Sequence, residues 1–275
     1  MGGQVIAFVG GGNMAASLVG GLIAGGWDPA GIRVAEPRPE RRAEVAARFG
    51  VPVSADNAAV AAEAAVVVLA VKPQVLRQVA TELGPSLRGW APLVISIAAG
   101  VREPDIRRWL GFDAAVIRAM PNTPALVRSG ATALFANRFV SADQRNLGES
   151  VLRAVGMTLW VLEEQQLEAV TALSGSGPAY FFLVMELLEE AGVRCGLQRD
   201  TARLLTLETA FGAAKMALES TEDPATLRTR VTSPGGTTER ALARLEAGGV
   251  RLAFLEAVEA ARDRAVELGD TLGAD

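Results

Sequence analysis

A chain of 275 residues, half of them hydrophobic, is long enough for two domains and too apolar to be disordered. Its net charge of −4 argues against a nucleic-acid or anionic-membrane surface. With no histidine and one cysteine, Cys195, it has no Ser-His-Asp or Cys-His catalysis, no internal disulfide, and no His-based or cysteine-rich metal site, and no metal is expected.

The N-terminus is apolar but carries no basic residue before Arg33 and is broken by glycines, so it does not read as a signal peptide. Met1-Gly2-Gly3 and the residues after them lack the Ser or Thr of a myristoylation pattern. No apolar run approaches membrane-spanning length. The expectation is a soluble, cytoplasmic protein.

Gln4 to Val9 is a β-rich run that ends in Gly10-Gly11-Gly12-Asn13-Met14-Ala15, a match to G-x-G-x-x-A, and Ala16 to Ala24 then reads as a helix closed by Gly25 and Gly26. Strand, glycine turn and helix in this order suit a dinucleotide. Gly10 permits the turn, Gly12 lets the backbone approach a pyrophosphate, and Ala15 keeps helix and strand close. Ile32 to Ala35 is the second strand, ending at Glu36, whose carboxylate suits the ribose 2′-OH of NAD. Arg38, Arg41 and Arg42 follow and suit the 2′-phosphate of NADP, so the cofactor is NADPH or NADH.

Ala64 to Val71 is a strand buried on both faces, and Lys72-Pro73 opens the next helix beyond its carboxyl end, where ligands of doubly wound sheets lie. Lys72 there faces a cofactor or simply solvent. Pro92 to Ile97, Ala114 to Arg118, Ala131 to Ala136 and Thr158 to Leu162 are further strands, with a helix at Ala142 to Ala154. Met120-Pro-Asn-Thr-Pro124 is a stiff polar loop. This alternation predicts an α/β Rossmann domain with a doubly wound, mostly parallel sheet.

After Leu162 the strand signal stops, and the polar cluster Glu163 to Gln166 marks the boundary. Residues 1–163 are expected to bind a dinucleotide. Residues 164–275 are expected to form an all-α substrate-binding and dimerisation domain. Its helices read as Leu167 to Leu173, Pro178 to Cys195, Arg199 to Ser220, Pro224 to Arg230, Thr237 to Ala247 and Ala253 to Leu272. Phe181, Phe182, Leu183, Val184, Leu187 and Leu188 exceed a single stripe, and the excess suits burial against a second copy.

The most telling stretch is Arg230-Val-Thr-Ser-Pro-Gly-Gly-Thr-Thr-Glu-Arg240. Pro234, Gly235 and Gly236 allow a loop that turns its N–H groups toward one point, and the helix start near Thr237 adds unpaired N–H groups and the positive end of the dipole. That is a site for a small anion such as a carboxylate, or a helix cap after a tight turn. Neither Thr237 nor Thr238 has Glu or Gln three residues on, so a full capping box is not expected.

Taken together, Gly10–Ala15, Ala70-Val71-Lys72-Pro73, Met120–Pro124, Ala172-Leu-Ser-Gly-Ser-Gly-Pro-Ala-Tyr180 and Val231–Thr238 closely resemble the pyrroline-5-carboxylate reductase family over essentially the whole chain. The resemblance implies reduction of the C=N bond of 1-pyrroline-5-carboxylate to L-proline with hydride from NAD(P)H. It implies dinucleotide contacts at Gly10–Ala15, Asn57 and Ala70–Pro73. It places the substrate carboxylate at Ser233, Gly235, Gly236, Thr237 and Thr238, with the Thr238 hydroxyl on the ring nitrogen as the catalytic group. It also implies a homodimer, in some members a decamer of five dimers. Glu36 departs from the small polar residue often found there. The β-hydroxyacid dehydrogenases share the architecture, but their G-x-x-x-K-x-x-x-N helix is not matched, since Gly212 and Lys215 are three apart and Glu219 stands at the asparagine position.

Overall fold

A computed structural model describes residues 4–274, so the Met1–Gly3 segment read for lipidation lies outside it. Eight strands form one sheet: β1 (Ile6–Val9), β2 (Ile32–Ala35), β3 (Val53–Ser54), β4 (Val66–Leu69), β5 (Leu93–Ser96), β6 (Val116–Met120), β7 (Gly130–Ala136) and β8 (Gly156–Trp160). Their order is β3-β2-β1-β4-β5-β6-β7-β8, and all neighbours run parallel except β6 and β7. The strand order reverses between β1 and β4, which places a crevice at the carboxyl ends of those two strands.

Alternate side chains of each strand serve opposite faces. Ile6 and Phe8 pack with Leu18 and Leu22 of α1 (Asn13–Ala24), Val45 of α2 (Pro39–Phe49) and Val151 of α6 (Ala142–Arg153). Ala7 and Val9 face Val60 of α3 (Asn57–Ala61), Leu76 and Leu83 of α4 (Pro73–Leu87), and Ile106 of α5 (Glu103–Leu110). Every residue of β1, β4 and β5 is buried, as two-sided cover requires.

The polar cluster expected to mark a domain boundary has a structural task of its own. Glu164 Oε1 accepts hydrogen bonds from Arg118 Nη1 on β6 at 2.6 Å and from the Glu103 N–H at the start of α5 at 2.6 Å. Glu103 in turn accepts from Asn137 Nδ2 at 2.7 Å and Arg107 Nε at 3.2 Å. The buried Arg118 charge is thereby paired, and α5 receives the cap its own sequence lacks.

The compact units divide after Ser176: residues 1–176 with 261–275 form one, and residues 177–260 the other. In the first, α7 (Gln166–Val170) passes into a π-turn at Thr171–Gly175, and a bend at Ser176 separates it from the helix that begins at Gly177, the interruption that the run Ser174-Gly-Ser-Gly suggested. The second contains α8 (Gly177–Arg194), α9 (Arg199–Glu219), α10 (Pro224–Arg230), α11 (Thr237–Ala247) and the first part of α12 (Val250–Gly273). Its buried residues are Gly177, Ala202 and Thr206, all small, while Phe181, Phe182, Leu205, Phe211 and Leu255 are exposed. No described helix is long and apolar enough to cross a membrane.

Candidate active site

The glycine turn lies at the crevice. Gly10 has φ +104°, and a Cβ there would stand 2.7 Å from the Ala70 carbonyl oxygen, so only glycine fits. Its N–H donates to Ala35 O, and the Ala70 N–H donates to Val9 O, which ties the ends of β1, β2 and β4 together. Gly12 is the N-cap of α1 and offers no side-chain cap. A Cβ on it would meet nothing within 4 Å. The N–H groups of Asn13 and Met14 find no acceptor among the described residues. An open cradle of unpaired N–H groups at a helix N-terminus fits a pyrophosphate. Ala15 is buried and holds α1 close to the sheet.

Glu36, at 4% exposure, stands beside this turn. Its Oε2 accepts the Gly11 N–H at 3.1 Å, and its Oε1 accepts Arg38 N–H at 3.2 Å and Nε at 2.9 Å. Burial pushes its pKa up, but the hydrogen bonds from the Arg38 side chain, the Arg38 backbone and the Gly11 backbone outweigh that and hold it below the usual glutamate value. Arg41 donates from Nε to Gly11 O at 2.7 Å, from Nη2 to Asn13 Oδ1 at 3.3 Å, and from Nη1 to Glu44 at 2.7 Å. Arg42 Nη1 donates to the carbonyls of Glu36 and Pro37. The arginines expected on a solvated helix face or a phosphate thus brace the loop.

Ala70 and Val71 line the turn from β4 to α4, half-buried. Lys72 is the exposed N-cap of α4 and Pro73 its first residue. Asn57 opens α3 behind Asp56, whose side chain caps the helix. One contact was beyond sequence reasoning: Asn122 Nδ2 donates to Ser174 Oγ at 3.1 Å, and Asn122 Oδ1 accepts the Ala131 N–H at 2.9 Å. The Met120–Pro124 loop is thereby fastened to the π-turn. Both stretches stand out in the sequence, but nothing in it pairs residues 52 apart.

In the second unit, Gly236 is the N-cap of α11, and Thr237 and Thr238 are its first two residues. Gly235 has φ +72°, a left-handed backbone that its lack of Cβ permits. The Gly236 N–H donates to Ser233 O at 3.0 Å, so Ser233 closes the turn. The Gly235 N–H donates to Glu239 Oε2 at 2.7 Å. Glu239, three residues past the Gly236 N-cap, thus reaches the N–H of the residue before the cap, so the full capping box is absent, as the sequence suggested. The N–H groups of Thr237 and Thr238 meet no acceptor among the described residues and remain for an anion. Lys215 is exposed and lies 3.9 Å from Glu219, a helix-surface pair.

Residues 164–268 match the family model described as pyrroline-5-carboxylate reductase dimerisation, and residues 5–100 match one described as NADP oxidoreductase coenzyme F420-dependent. The chain is 51% identical over 268 residues to the pyrroline-5-carboxylate reductase of Pseudomonas aeruginosa, covering 98% of each. A solved pyrroline-5-carboxylate reductase from Coxiella burnetii superposes with a TM-score of 0.92 at 51% identity, over 96% of this chain and 98% of that one. The Plasmodium falciparum enzyme, solved with NADP bound, gives 0.87 at 27% identity, over 98% of this chain and 99% of that one.

Proposed function

This chain belongs to the pyrroline-5-carboxylate reductase family, and from that premise we infer how its residues perform the family's reaction. It reduces the C=N bond of 1-pyrroline-5-carboxylate to L-proline, the last step of proline biosynthesis, as an NAD(P)H-dependent oxidoreductase. The observation that carries the assignment of roles is the presence, in one histidine-free chain, of an open glycine cradle at Gly10–Ala15 and a second set of unpaired N–H groups at Thr237 and Thr238.

Gly10, Gly11, Gly12, Asn13, Met14 and Ala15 hold the pyrophosphate, with Glu36 and Arg38 at the adenosine end. Asn57 and the turn Ala70-Val71-Lys72-Pro73 complete the cofactor contacts. The bound nicotinamide supplies the hydride. Ser233 and Gly235 shape the loop, and the backbone N–H groups of Gly236, Thr237 and Thr238 take the substrate carboxylate, with Gly236 giving up its bond to Ser233. The cyclic imine is basic enough to be protonated near neutral pH, so no histidine is required. The Thr238 hydroxyl oxygen accepts a hydrogen bond from the N–H of the protonated ring nitrogen. The division at residue 163, with dinucleotide binding before it and substrate binding and dimerisation after it, belongs to the same reading, as do a homodimer, its assembly into a decamer of five dimers, and a cytoplasmic location.

The test is turnover of 1-pyrroline-5-carboxylate by the purified protein with NADH and with NADPH, read by loss of nicotinamide absorbance. Absence of proline formation with both would overturn the assignment.

A further inference from the structure

We propose that Glu36 makes this reductase prefer NADH, because its carboxylate is fixed beside the glycine cradle and every arginine near enough to neutralise a 2′-phosphate is already engaged. The inference rests on the reading of Gly10–Ala15 as the dinucleotide site.

A carboxylate is an acceptor only, and a ribose 2′-OH gives it a donor. A 2′-phosphate brings about two negative charges instead, and like charges placed together disfavour binding. Glu36 cannot turn away to avoid them. It is nearly fully buried, its Oε2 holds the Gly11 N–H, and its Cβ lies 3.1 Å from where a Gly11 Cβ would be. Three cations are near, and each has a partner. Arg38 is on Glu36 itself, Arg41 on Glu44, Gly11 O and Asn13, and Arg42 on two backbone carbonyls. A shallow cavity of about 360 Å³ opens over Gly12, Asn13, Arg38 and Arg41, and Glu40 and Glu44 line it too. Glu36, Glu40 and Glu44 thus cancel Arg38, Arg41 and Arg42, and the surface offers a dianion no net attraction. Only Arg38, whose side chain is 68% exposed, is free enough in space to leave its partner, and doing so leaves the Glu36 carboxylate less compensated. Weak residual use of NADPH follows from that swing.

The experiment measures kcat/KM for each cofactor in the wild-type enzyme and in Glu36→Ser and Glu36→Gln. The wild type is expected to favour NADH by roughly 10-fold to 100-fold, the scale of a like-charge clash near a surface. Both variants are expected to move the ratio toward NADPH by at least about tenfold, mainly through the KM of the cofactor, with the KM of pyrroline-5-carboxylate unchanged. Adding Arg38→Ala to Glu36→Ser is expected to remove the gain with NADPH. Glu36→Gln keeps the side-chain shape, so a loss of fold in Glu36→Ser leaves the comparison standing. Equal use of the two cofactors or a preference for NADPH in the wild type, or an unchanged ratio in Glu36→Gln, overturns the proposal. Gly12→Val separates it from the reading beneath it. If that variant retains fluorescence-detected NADH binding, the cradle itself is misassigned. If it loses binding while Glu36→Gln leaves the ratio unmoved, only the role of Glu36 falls.

Discussion

Thr238 is half-buried at the second position of α11, where its backbone N–H is unpaired among the described residues. Two roles for the hydroxyl differ in size. A single hydrogen bond to the ring nitrogen is worth about 1 kcal/mol, or roughly fivefold in rate, whereas an obligatory proton relay contributes ~10²-fold or more. The basicity of the imine and the lack of any histidine to take up a proton favour the hydrogen bond. Thr238→Ala is therefore expected to lower kcat/KM between about fivefold and a hundredfold while leaving carboxylate binding intact, because that uses N–H groups alanine keeps. Thr238→Val removes the hydroxyl and keeps the branch. Wild-type kinetics in both would return the loop to being a helix cap. The neighbouring Glu239 makes a second residue-level case. Its carboxylate sits on the Gly235 N–H, close to where the substrate carboxylate is proposed to bind. Glu239→Gln keeps an acceptor but drops the charge, and the KM for pyrroline-5-carboxylate is expected to fall about twofold to fivefold, most clearly at low salt. A KM that rises would mean that the charge of Glu239 orders the loop.

At the scale of elements, what was legible depended on whether the cause of an element lies within it. β1, β2 and β4 are apolar runs stopped by glycine, glutamate or Lys-Pro, and α10 and α11 start at residues whose chemistry opens helices. The turn at Gly10–Ala15 and the loop at Ser233–Thr238 were readable as local backbone geometry for the same reason. The two-residue β3 carries no periodicity, and it pairs only because β2 supplies an edge. α5 opens with Arg102 as N-cap and makes no side-chain cap of its own, because its cap is Glu164, 61 residues on. The lock on Glu36 is hidden likewise, since its partners include a backbone N–H 25 residues away. The Glu164 link yields a stability prediction. Glu164→Ala leaves the buried Arg118 without its counter-charge and α5 without its cap, and is expected to cost about 3 kcal/mol or more in chemical denaturation. Arg118→Met in the same chain removes the stranded charge and is expected to restore much of the loss. If Glu164→Ala alone unfolds like the wild type, water serves Arg118 equally well and the link is ornamental.

At the scale of the whole molecule, residues 177–260 pose a problem that one copy does not solve. A helical unit is stable by burying an apolar face, yet no large hydrophobic side chain in this unit is buried. Phe181, Phe182, Leu187 and Leu188 on α8, Leu204, Leu205 and Phe211 on α9, and Leu252 and Leu255 on α12 are all more than half exposed. Each is worth about 1.5–3 kcal/mol when fully buried, so covering even half of them supplies on the order of 10 kcal/mol, comparable to the stability of an ordinary domain. Folding of this unit is therefore expected to be inseparable from association with a second copy, in keeping with the dimerisation family that residues 164–268 match. The melting temperature of the full chain should rise with protein concentration, and sedimentation at micromolar concentration should show a dimer or a multiple of it. A chain ending at Gln165 loses every one of these side chains, and it also loses the end of α12, which holds the first unit through the Asp270–Arg102 ion pair and the packing of Leu272. That shortened chain should be monomeric or insoluble. A stable dimer formed by it, or a full-length melting temperature that ignores concentration, would place the interface elsewhere and leave the exposed helices without a purpose.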